Sequence, residues 1–123
     1  MKKGIYDILT NTRENYGNIK CYISENGMGV EGEERFVNDE GIIEDDYRIE
    51  FVKEHLKYVH QAIQEGTQLC WLPYVDMYGI TGLGRTHIKN RYGFISVDLN
   101  HDAKRTIKKS GRWYKEVSDN NGF

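Results

Sequence analysis

The chain has 123 residues, 38% of them hydrophobic and 12% aromatic, which suits one soluble domain with a single modest core and excludes a disordered chain. Its 17 basic and 19 acidic residues leave a formal charge of −2, without the basic footprint that nucleic acid or an anionic membrane surface requires, so neither partner is expected. No apolar run approaches the roughly 18 residues of a membrane span. The start MKKGIYDILTN carries no signal-peptide hydrophobic region, and a cytoplasmic location is the expectation. Cys21 and Cys70 lie in apolar runs with no CxxC pairing or histidine spacing, and read as buried free thiols of a reducing compartment.

In chain order, Gly4 to Tyr16 places Ile5, Ile8, Leu9 and Tyr16 on one helical face before Gly17 stops it. Ile19 to Ser24 reads as a strand that ends in the turn residues Glu25, Asn26 and Gly27. From Met28 to Asp46 the chain is rich in Gly, Glu, Asp and Asn, and reads as a long surface loop, a length usually tied to function or disorder. Asp45 or Asp46 caps a second helix, with Val52, Leu56, Val59 and Ile63 at 3–4 residue spacing and Gly66 as its stop. Arg91 to Leu99 reads as another strand, and His101 to Asp119 as a final helix with Asp102 as its cap and Ile107, Trp113, Tyr114 and Val117 as packing residues. Strands separated by helical crossovers predict an α/β fold with a parallel sheet.

Glu25 alone is a weak signal, because a glutamate at a strand end is most often a solvated turn residue. In a parallel α/β barrel, however, the carboxyl ends of the strands carry the active site, and a strand, a carboxylate and a long loop in succession place Glu25 at such an end. The stretch YISENGMGVEGEERF followed by DDYRIEFVKEHL resembles the region around barrel strand seven of glycoside hydrolase family 1, whose members share a Thr/Ser-Glu-Asn-Gly motif. KNRYGFISVDL and KRTIKKSGRWYKEV resemble that family's last segment, after strand eight. The wording is nearest to the 6-phospho-β-glucosidase and 6-phospho-β-galactosidase branch.

The resemblance implies the C-terminal portion of a (β/α)8 TIM barrel, about two of eight βα units and incomplete as a barrel, since the whole fold needs ~250 residues. It implies retaining hydrolysis of O-glycosyl bonds in carbohydrate metabolism, with a small-molecule β-glycoside as partner, 6-phosphorylated where the branch resemblance holds. Glu25 matches the nucleophile and Asn26 a substrate-binding residue, and no metal or organic cofactor is implied. The acid/base glutamate belongs to an Asn-Glu-Pro motif on an earlier strand, and the only proline here is Pro73, in WLPY, so that group is absent and the isolated chain is expected to be inactive. For a sugar phosphate, Tyr92 matches the branch's tyrosine. The branch carries its lysine two residues before that tyrosine, where Asn90 stands; Lys89 lies one place further back.

Leu69 to Ile88 departs from the family altogether, where an aromatic loop resembling GYxxWTxxDNWSW is expected. With permitted codons for Gln68 to Asn90, removing a single base at Leu69, at Gly79 and at Lys89 gives the reading QCAGYHMWTCMDNWSWANAYKN, which restores the pattern and rejoins the intact RYGF. The segment 69–88 is therefore expected to be frameshifted. On that reading Asp76, His87 and the GxG of Gly82 to Gly84 are accidental, and no dinucleotide loop is expected. His55 and His60 are wrongly spaced for a metal pair, and the acids from Asp39 to Asp46 lack the ligand order of a calcium loop. A reading from another class is a non-catalytic remnant or binding protein without hydrolase activity.

Overall fold

The computed structural model describes residues 3–70 and 90–123. Of these, 3–26 and 50–70 form one compact unit, and 27–49 and 90–123 form another.

In the first unit, helix α1 runs Gly4–Asn15 and buries Leu9, with Ile5 and Tyr6 packed beside it. Ile8 and Tyr16, expected on the same face, are 69% and 67% exposed. Ile8 lies on the flank away from Tyr6, and Tyr16 stands past the last helical residue, where its side chain has left the stripe. Helix α2, Asp46–Gln64, whose first four residues belong to the second unit, begins and ends where the sequence placed it. Val52, Val59 and Ala62 are buried on its inner face, each side chain of that kind contributing about 1–3 kcal/mol, whereas Ile63 is half exposed. Gly66 adopts φ +102, and the end of α2 is tied down from α1 and the turn after it. Arg13 Nη1 donates to the Glu65 carbonyl at 2.8 Å, Asn18 Nδ2 to the Gly66 carbonyl at 2.9 Å, and Tyr6 Oη to the Glu65 carboxylate at 2.7 Å. The first two satisfy main-chain carbonyls just past the helix end, and the third holds the Glu65 side chain.

The expected strand at Ile19 to Ser24 is reduced to one parallel bridge, Cys21 to Leu69. Cys21 N donates to the Gln68 carbonyl at 2.8 Å, and Cys70 N to the Cys21 carbonyl at 2.9 Å. A regular strand needs a ladder, and among the described residues these are the main-chain bonds that Ile19 to Ser24 makes. Cys21 is half-buried and Cys70 exposed, both as free thiols, which corrects the expectation that both are buried.

In the second unit, the segment read as a long surface loop is structured. Strand β1 (Val30–Glu31) pairs antiparallel with β2 (Asn90–Arg91), a 3-10 turn spans Glu33–Phe36, and Val37 bridges Ile43. The Asn38 side-chain oxygen accepts from the Glu40 and Ile42 main-chain N–H groups, both at 3.0 Å, and so closes the turn between the bridging residues. Polar composition misleads here because Glu33 and Asp45 are folded inward and paired.

The predicted strand from Arg91 to Leu99 divides into β2 and β3 (Ile95–Asp98), and the first part of the predicted last helix is strand β4 (Lys104–Ile107). Strands β3 and β4 form an antiparallel hairpin with Ile95 opposite Ile107 and Asp98 opposite Lys104. Asp102 and Ala103 lie in its turn with φ +51 and +52, so Asp102 serves the hairpin and does not cap the helix. Ile107 is half exposed. Helix α3, Lys109–Asn120, lies close against the hairpin: a Cβ at Gly111 would come 2.9 Å from the Ile107 side chain and 3.0 Å from the Phe94 carbonyl. Phe94 stacks on Tyr114 at 4.9 Å between ring centres. Among the described residues no barrel closes: the two small sheets are antiparallel pairs of strands, and the parallel pairing expected is present as the single Cys21–Leu69 bridge.

Candidate active site

Glu25 follows the bridged segment directly. Cys21 and Ile23 pack against the core of the first unit, while Tyr22 is 70% exposed, the alternation of extended chain. Glu25 emerges exposed and Asn26 half-buried. The parallel bridge spans α2, so the chain passes from one extended segment through a helix to a parallel neighbour, with Glu25 at the carboxyl end of the first.

Tyr92 lies in the second unit, one residue past β2. The register Glu31 to Asn90 and Val30 to Arg91 continues so that Gly29 stands opposite Tyr92. The Tyr92 ring covers Gly29 so closely that a Cβ there would fall 2.5 Å from Tyr92 Cζ and 2.8 Å from its hydroxyl oxygen. A larger residue at position 29 would have to push the ring aside. Lys89, the other expected phosphate ligand, lies outside the described residues, as does most of the segment 69–88. An open cleft of about 620 Å³ is lined by Glu34, Val37, Arg91, Val97 and Lys104, among others; neither Glu25, Asn26 nor Tyr92 borders it, so it is not counted into the site.

Beneath β1 and β2 lies a buried cluster of charges. Arg48, 0% exposed, donates from Nη1 and Nη2 to Glu33 Oε1 at 2.6 and 2.5 Å, and from Nη1 to Asp45 Oδ2 at 3.0 Å. Lys108 Nζ donates to Glu33 Oε2 at 2.6 Å, and Tyr47 Oη to Glu33 Oε1 at 2.7 Å. Two carboxylates thus face two cations, the arrangement in which buried charges are tolerated. The two cations also reach main-chain carbonyls: Lys108 Nζ that of Tyr92 at 3.0 Å, and Arg48 Nη2 those of Arg91 at 3.0 Å and Met28 at 3.4 Å. Burial, followed by the positive charge of Arg48, pushes the Lys108 ammonium below the usual lysine range, against the pull of Glu33. Burial, followed by the hydrogen bond to Glu33, pushes the Tyr47 phenol well above its ordinary value.

The model of glycosyl hydrolase family 1 matches residues 1–123. The chain belongs to glycosyl hydrolase family 1. It is 59% identical to the 6-phospho-beta-glucosidase GmuD of Bacillus subtilis (strain 168), over 99% of this chain and 26% of that protein. It is 36% identical to a 6-phospho-beta-glucosidase of Clostridium longisporum, over 98% of this chain and again 26% of the relative. The family 1 β-glucosidase of Thermotoga maritima superposes on the whole chain with a TM-score of 0.84 and 32% identity, over 27% of its own length. This family 1 chain therefore spans about a quarter of the relatives it matches, and over that quarter its fold is that of the family's TIM-barrel glucosidases.

Sequence reasoning missed the buried cluster. One signal was present: Asp45, Arg48, Val52 and Val59 recur at the spacing of a single helical stripe, so Arg48 stands on the inner face of α2 among apolar residues. Lys108, between Ile107 and Lys109, carried no comparable mark.

Proposed function

We propose that this family 1 chain supplies the nucleophile-bearing, C-terminal part of a retaining β-glycosidase acting on 6-phospho-β-glucosides. The observation that carries the reading is the 59% identity, over 99% of the chain, to a relative named as a 6-phospho-beta-glucosidase. The parallel bridge between Cys21 and Leu69 across α2 supports assigning these segments to strand seven and the start of strand eight, about two of eight βα units.

In this mechanism the Glu25 carboxylate attacks the anomeric carbon and displaces the aglycone oxygen, forming a covalent glycosyl-enzyme. A second glutamate, absent from these 123 residues, protonates the departing oxygen and then deprotonates the water that releases the sugar. Asn26 binds the sugar beside the reacting carbon. Tyr92 and Lys89 take the 6-phosphate, a phenol and an ammonium suited to a phosphate dianion. Residues 69–88, nearly all outside the described residues, are read out of frame. The bridge at Leu69 is no obstacle, because it uses main-chain atoms that any residue supplies.

The test joins the chain, with codons 68–90 restored to frame, behind the preceding three quarters of the Bacillus subtilis relative and assays p-nitrophenyl β-glucoside 6-phosphate. The fusion is expected to turn over and Glu25→Gln to abolish it, while the chain alone gives no turnover. Turnover by the chain alone, removed by Glu25→Gln, would overturn the need for a second glutamate from elsewhere. A folded fusion that hydrolyses neither phosphorylated nor plain glucoside favours the remnant reading instead, for which the departure of 69–88 from the family is the motive.

A further inference from the structure

We propose that Gly29 and Lys108 are positioning residues for Tyr92, and so set the selectivity for a phosphorylated sugar; this rests on the assignment of Tyr92 to the phosphate. Tyr92 is held from two sides. Lys108 Nζ, in the buried cluster, donates to the Tyr92 carbonyl at 3.0 Å and is itself anchored by Glu33 Oε2 at 2.6 Å. The ring, in turn, lies over Gly29, where a methyl group would come 2.5–2.8 Å from three of its atoms, the hydroxyl oxygen among them.

Both supports belong to one frame. Arg48 reaches the carbonyls of Met28 and Arg91, the residues just before Gly29 and Tyr92, and the β1–β2 register sets Gly29 and Tyr92 opposite each other. A side chain whose main chain is clamped and whose ring is seated has lost most of its rotamer freedom before a ligand arrives, which is the condition for an oriented hydrogen-bond donor. Gly29 is not among the glycines of positive φ, so alanine there meets no left-handed strain. The three atoms nearest to its methyl group all belong to the Tyr92 side chain.

The experiment uses the same frame-restored chain joined behind the preceding part of the Bacillus subtilis relative, and titrates glucose 6-phosphate and glucose separately by calorimetry. Gly29→Ala and Lys108→Met are each expected to weaken glucose 6-phosphate about tenfold, as loss of one oriented hydrogen bond to a charged group does, and to change glucose less than twofold. In a Tyr92→Phe background the Gly29→Ala effect is expected to vanish. Gly29 stands outside the buried cluster, so its result decides the matter even where Lys108→Met fails to fold. A parent fusion that prefers glucose 6-phosphate, with a preference unchanged by Gly29→Ala or an alanine effect that persists in Tyr92→Phe, overturns the positioning role alone. A parent with no preference overturns the phosphate assignment and this proposal together.

Discussion

Asp45 Oδ1 accepts the main-chain N–H of Ser110 at 2.8 Å, and Oδ2 accepts the Ser110 hydroxyl at 2.5 Å. Ser110 lies in the first turn of α3, so a residue expected to cap its own helix instead caps another, 65 positions away in sequence. The negative charge also suits the positive end of the α3 dipole. Asp45→Ala removes this cap and a partner of buried Arg48, and is expected to destabilise the fused barrel by about 3–5 kcal/mol. Asp45→Asn keeps an acceptor for Ser110 and is expected to cost less. Equal losses for the two substitutions in urea unfolding would show that the cap contributes nothing.

Arg48 and Glu33 couple in the same way. Truncating either leaves a buried charge short of its partner, and Arg48→Met or Glu33→Leu alone is expected to cost about 3–5 kcal/mol. The double variant is expected to lose less than the sum, since each deletion removes the other's reason to be charged. Strict additivity in the four-member cycle would mean that the 2.5 Å contact carries no coupling.

Alkaline pH acts on this cluster through Tyr47, with an opposing contribution from Lys108. The folded Tyr47 phenol holds its proton beyond the ordinary value of 10.0, so above that pH the folded state binds a proton the unfolded chain has released, and stability falls as pH rises further. Lys108 has the opposite sign. Its folded value is lowered from 10.5, so in the window below 10.5 the unfolded chain binds more protons and stability rises with pH. Unfolding of the fused barrel followed from pH 8 upward is expected to show a loss setting in above about pH 10, reduced in Tyr47→Phe. An identical profile for the Phe variant would place the alkaline loss elsewhere.

The frameshift is decided at the nucleotide level. Codons 68–90, sequenced again, are expected to lack a base at Leu69, at Gly79 and at Lys89 relative to the printed reading. An uninterrupted read supporting every printed residue from Leu69 to Ile88 refutes it.

What could be read from the residues follows their physics. Helix α2 was legible because Val52, Val59 and Gly66 announce an apolar stripe and a stop. The segment after Glu25 was not, because composition cannot distinguish a solvated acid from Glu33, which is buried only because Arg48 and Lys108 arrive from 15 and 75 positions away. Strand β4 was missed for a related reason: KRTI gains its pairing from β3 across a turn whose left-handed residues, Asp102 and Ala103, are not glycine. In the candidate site, Glu25 stood out only through the resemblance of its motif, since a glutamate before Asn-Gly is by itself an ordinary turn. The seat of Tyr92 on Gly29 depends on a two-residue strand pair that no local pattern encodes.

The central claim is that Glu25 is the nucleophile, and covalent trapping tests it most directly. The fused barrel is treated with an aryl 2-deoxy-2-fluoro-β-glucoside 6-phosphate, whose glycosyl-enzyme hydrolyses slowly, then digested and mapped by mass spectrometry. The account predicts the sugar phosphate on the peptide carrying YISENG, at Glu25, and no adduct in Glu25→Gln. An active fusion labelled at any other carboxylate, or labelled equally in the Gln variant, would contradict it.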